Sequence, residues 1–195
     1  MSTRRFITFL LGIWLGCSLF MVGIATHNLK SVDALLASPP PPAVKLIETL
    51  GQDSARLLLR HQAAELNRVY FEHWGLAQVL IAGAVLGLIL FATREGKRLV
   101  ILSAVMLVVV VVMRFILTPD LVNFGRQLDF ASKQTVAGEY ARFAGVHRAY
   151  GFAELIKCGL GLVLLALLLR RSKRTRRSVR HVDLIDDADD RHVDR

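Results

Sequence analysis

Four stretches of this chain are apolar and almost free of charge over lengths that suit a lipid bilayer. No Asp, Glu, Lys or Arg occurs in 6–29 or in 73–93, and Arg114 alone interrupts 99–119. The fourth stretch, about 148–169, carries only Glu154 and Lys157 once Arg148 is passed. A helix needs about 20 apolar residues to cross the roughly 30 Å of hydrocarbon, and each stretch meets that length. The hydrophobic share of 53% also exceeds what a soluble domain carries. The expected fold is therefore an all-α integral membrane protein, a four-transmembrane-helix bundle with spans at about 6–26, 72–93, 98–118 and 148–169. Residues 1–170 form this membrane domain, and 171–195 form a tail that is basic and then acidic.

The two long loops are expected to hold helix as well. Four prolines at 39–42 cannot lie inside a helix. From Ala43 the pattern is helical, breaks at Gly51, and resumes with Asp53 or Ser54 as a cap before running on into the second span. Pro119 is expected to stop the third span. The first span follows Arg4 and Arg5 and exceeds the usual 7–15 residue core of a signal peptide, so it is read as retained. The triplet Leu15-Gly16-Cys17 is discounted as a lipoprotein site because Trp14 replaces the small aliphatic residue that such a site takes.

Charge placement gives an orientation. Lys and Arg number two at the N-terminus, three in the 94–98 turn and nine in the tail, against five in 27–71 and four in 119–148. The richer side is expected in the cytoplasm, which places both termini there and both long loops outside a cytoplasmic (inner) membrane. The net charge of +9 is read the same way, with the Arg170–Arg180 block as a candidate contact for anionic lipid. No aromatic-interleaved basic face suggests nucleic acid. With its basic block followed by six Asp in 183–194, the tail is expected to be solvated and disordered on the cytoplasmic side.

Polar residues recur at helical spacing inside the apolar runs. Phe143, His147, Tyr150, Glu154 and Lys157 fall on one stripe at intervals of 4, 3, 4 and 3, and Asn67, Phe71, Trp74 and Gln78 repeat the device. Ser103 and Arg114 share a face of the third span. Such stripes cannot face lipid and are expected to face one another. The expected polar cluster comprises Gln78, Arg114, His147, Tyr150, Glu154 and Lys157. Two readings fit it: a Glu154–Arg114 ion pair that fixes helix register, or an outward-opening site in which two cations and one anion await an anionic guest. Gly12-x-x-x-Gly16 and Gly83-x-x-x-Gly87 are expected to let helices approach closely, within one chain or in a homo-oligomer.

The residues Leu-Gly-Ile-Trp-Leu-Gly near the N-terminus, Asn67-Arg68-x-Tyr70-Phe71-x-x-Trp74-Gly75, Thr118-Pro119 and Phe143-x-x-x-His147-x-x-Tyr150 carry a resemblance. Over about 1–170 the chain resembles the four-span membrane family called domain of unknown function 4149, similar to transmembrane protein 205. The resemblance implies the four-span architecture and carries over no catalytic residue. A more distant similarity is to copper-resistance D type membrane proteins and haem-associated four-helix proteins, which place histidines at helix ends. It makes His27, His73 and His147 candidate ligands for haem or copper. No cofactor is otherwise expected. No Walker loop, H-E-x-x-H or G-x-S-x-G occurs, so the expectation is a non-catalytic protein, a small transporter or membrane accessory.

Overall fold

The computed structural model describes residues 3–93, 96–131 and 137–189, with side chains described as far as 170. Among them are helices and no strands. In chain order they are α1 (Thr3–Ala37), α2 (Pro41–Leu50), α3 (Gln52–Phe91), α4 (Lys97–Val112), a five-residue π turn (Met113–Leu117), α5 (Thr118–Leu128) and α6 (Ala137–Asp189). Four helical units are long and apolar enough to cross a membrane: α1, α3, the continuous α4–α5 rod and α6 as far as Arg170. They close into a ring in which α1 packs on α3 and α6, and α4 packs on the same two helices. The expected all-α four-helix architecture is thus the observed one.

The packing is that of a membrane protein. Leu155 is 72% exposed, whereas Lys157, two residues further along the same helix, is 1% exposed. Apolar side chains such as Phe9, Leu19, Leu80, Ile101 and Phe152 cover the outside. Ile7, Leu11, Trp14, Val85, Ile89, Met106, Leu164 and Leu168 fill the interior toward the end of the bundle where the chain starts. The Arg4 guanidinium donates to the Leu168 carbonyl at 2.5 Å, so the start of α1 and the close of the membrane part of α6 share that end.

The helices overrun the expected spans at the opposite end. At about 1.5 Å per residue, the 35 residues of α1 and 40 of α3 extend to about 52 and 60 Å, well beyond the hydrocarbon thickness. The overhanging ends pack together through Val32, Leu36, Ala55 and Ala63, with Ile47 of α2 against them. Pro41 takes the first turn of α2, where its missing N–H costs nothing. Gly51, at φ 80°, makes the turn into α3, and no side chain caps that helix, so the caps expected from Asp53 or Ser54 are not used.

One expected boundary is corrected. Pro119 does not stop the third span. The chain widens into the π turn just before it, the Thr118 N–H reaches the Met113 carbonyl, and the Thr118 hydroxyl donates to that same carbonyl at 2.8 Å. This rerouting accommodates the donor that proline lacks, and the rod continues to Leu128. At the C-terminal end the α6 backbone continues as helix past Arg170 to Asp189, through a stretch with no Gly or Pro.

Candidate functional site

At mid-bundle a buried polar layer is built around Lys157. Its ammonium has three protons and finds three acceptors: Ser18 Oγ on α1 at 3.0 Å, Gln78 Oε1 on α3, and Glu154 Oε1, one turn earlier on α6, at 2.5 Å. Gln78 Oε1 also accepts from Trp14 Nε1 at 3.2 Å, and the Trp14 ring lies 5.8 Å from the ammonium. Three helices thus converge on one cation with every donor satisfied, the condition under which a charge can be kept out of water. Sequence spacing located Gln78, Glu154 and Lys157. Trp14 and Ser18 were missed, although their i, i+4 spacing on α1 signals a shared face.

Arg114 stands apart from this layer. The expected Glu154–Arg114 pair is not formed, because Glu154 is engaged by Lys157. Arg114 leaves the π turn and lays its methylenes on Gly75 of α3, where an added Cβ would come within 2.8 Å of Cδ. Its Nε is buried and has no hydrogen-bond partner, and its guanidinium carbon sits 5.6 Å from the centroid of the Phe115 ring. Close by, the Phe71 and Tyr150 rings meet edge to face at 5.7 Å. Tyr150 is buried, while His147 is exposed and, among the described residues, stacks on Phe143. The α6 stripe therefore leaves the bundle interior between Tyr150 and His147.

Beyond this level the overhanging helices are tied by polar groups. Asn28 donates to Asn67, which donates to the Ala25 carbonyl. Arg68 grips Asp129 with two bonds of 2.7 Å and donates to Glu65, and Glu65 receives two more bonds from Arg126. His61 meets Asp129 at 2.7 Å. Gly125 gives Arg68 room, since a Cβ there would lie 3.0 Å from Nη2. Hydrogen bonds from Arg126 hold the Glu65 carboxyl down to about 2, with Arg68 adding to them and partial burial opposing them. The Arg126 guanidinium is pushed up by Glu65 in turn, with a smaller contribution from Glu72. His61, Glu65, Arg68 and Glu72 repeat the 4, 3, 4 spacing of the membrane stripes, a signal in the sequence that pointed to this network.

The histidine candidates and the glycine motifs lie outside this layer. His27, His73 and His147 are each exposed, and none belongs to a group of three or more possible ligands among the described residues. His61, Glu65 and Asp129 do form such a group, but both carboxylates are already bound by guanidinium groups, so the donor set does not fit a metal ion. A Cβ added at Gly12, Gly16, Gly83 or Gly87 would meet nothing within 4 Å. The close approach expected there is not made within this chain. Close approaches occur instead at Gly75, at Gly125 and at Gly161 against Leu15. The Arg170–Arg180 side chains lie beyond those described, apart from Arg170.

Comparison with protein-family models, with curated proteins and with solved structures gives no match.

Proposed function

We propose that this is a non-catalytic protein of the cytoplasmic membrane, a small transporter or accessory that holds an anionic group at Arg114. The termini and the 94–98 turn are placed inside, and the overhanging helices outside. The observation that carries the reading is the partition of charge. Glu154 and Lys157 satisfy each other within the bundle, which leaves the Arg114 guanidinium at the rim of the apolar belt without a carboxylate. Such a cation costs about 2.5–3.5 kcal/mol at the bilayer centre on lenient scales and less toward the rim, and a bound anion would offset what remains through charge-assisted bonds. The resemblance to the four-span family called domain of unknown function 4149 agrees with the architecture.

The test uses the purified protein in a neutral detergent. Its melting temperature is measured with and without dodecyl phosphate, for the natural chain and for Arg114→Gln. The natural chain should gain several degrees and the variant little. An equal gain in both would contradict the reading.

A further inference from the structure

Two partly buried charges along the seam between α3 and the α4–α5 rod make no ion pair or hydrogen bond with any described residue: Arg114 and Glu72. Their neighbours further out are matched, Glu65 by Arg68 and Arg126, and Asp129 by Arg68 and His61. Asp120, also without an ion pair, is exposed. Glu72 lies three residues before Gly75, the residue that Arg114 crosses, and is therefore displaced outward by about 4.5 Å of helix rise. It is also on the side of α3 that attracts Arg126. Glu72 and the point where Arg114 crosses α3 are thus about one turn apart along that helix, and no ion pair joins the two side chains. Phe115, beneath the guanidinium, is 59% exposed, and Leu76, the residue after Gly75, is 50% exposed, both on the apolar exterior.

We propose that this seam seats the headgroup of an amine-bearing zwitterionic phospholipid, whose phosphate accepts from the Arg114 guanidinium and whose ammonium donates to Glu72. The inference rests on the anion-holding reading of Arg114 and adds the second charge. A purely anionic headgroup would satisfy Arg114 and be repelled by Glu72. A quaternary ammonium would match the charges but has no proton to donate. The phosphate suits a guanidinium, which can give it two parallel bonds. The source is lipid because Phe115, against which the guanidinium lies, and Leu76, next to the Gly75 that Arg114 crosses, are on the apolar exterior that acyl chains cover. A soluble zwitterion would have no use for that apolar flank.

The test is lipid retention by the full chain. The protein is reconstituted into nanodiscs of phosphatidylcholine alone or mixed with phosphatidylethanolamine or phosphatidylglycerol of the same acyl chains, then extracted and weighed intact with its bound lipid. The natural chain should retain phosphatidylethanolamine several-fold over the other two. Glu72→Gln should erase the preference over phosphatidylcholine while leaving phosphatidylglycerol bound at least as well as before. Arg114→Gln should lose all three. Arg114→Lys, which keeps the cation if Arg114→Gln does not fold, should retain less lipid with the same preference.

Equal retention of phosphatidylethanolamine and phosphatidylglycerol, unchanged in Glu72→Gln, would overturn the zwitterion inference and leave the anion-holding role of Arg114 standing. Retention indifferent to Arg114→Gln would overturn both. Stabilisation by soluble phosphoethanolamine equal to that by the lipid would overturn the lipid source.

Discussion

Glu154 gives its carboxylate to Lys157, three residues along the same helix, and Arg114, on the neighbouring rod, has its buried Nε unmatched. Two ionisable groups within one turn form a local pair that also bonds Ser18 and Gln78, so the pair joins α6 to α1 and α3. Its electrostatic contribution to stability is bounded by the desolvation of both charges. Its contribution to register is larger, because a shift of either neighbouring helix by one residue strands a buried ammonium proton.

The glycines separate close contact from sequence motif. Gly75→Ala should destabilise by about 1–3 kcal/mol, since the new methyl displaces the Arg114 methylenes. Gly12→Ala, Gly16→Ala and Gly83→Ala meet open space and should be neutral or slightly stabilising, by up to about 1 kcal/mol from helix propensity. Thermal unfolding in detergent ranks the four. Destabilisation by Gly12→Ala and Gly16→Ala equal to that by Gly75→Ala would show that those faces are packed.

Acid should loosen the tie between α3 and α5 before it touches the membrane core. Glu65 has a folded pKa of about 2 against an ordinary 4.5. Its depressed value means that its contribution is complete above pH 4.5 and is lost as the pH falls from there toward 2. Hydrogen exchange at 121–128 should therefore rise as the pH falls through that window, after correction for the intrinsic exchange rate. In Glu65→Gln it should start high and change little with pH.

Orientation is tested by single cysteines read for labelling in whole cells, in a chain with Cys17 and Cys158 replaced. Cysteines at positions 45 and 127 should react with an impermeant reagent added outside, and one at position 97 should not. The reverse pattern would invert the protein and place the Arg114 seam against the inner leaflet.

Much of the bundle was legible because charge-free runs of this length have few other uses. The inward stripes were legible too, since Gln78, Tyr150, Glu154 and Lys157 break an apolar pattern at helical spacing. Three matters were not. Pro119 reads as a stop because a local rule sees its missing N–H, whereas the π turn upstream absorbs that loss. The glycine motifs do not mark close approaches within this chain, because a membrane helix is apolar all round and spacing alone does not tell which face meets a neighbour. Glu154 was expected to pair with Arg114, and three-dimensional packing gives it to Lys157 instead, by bringing Ser18 and Gln78 to the same ammonium.

The division of charges is measured most directly by two double-mutant cycles on thermal or denaturant stability in the same detergent. Glu154→Gln combined with Lys157→Met should show a coupling of about 1 kcal/mol or more, as expected for contacting residues in one network. Glu154→Gln combined with Arg114→Gln should be additive within about 0.5 kcal/mol, as for residues with no shared bond. Coupling in the second cycle as large as in the first would contradict the account, because Arg114 would then be spending its charge inside the bundle and would have none left for a ligand.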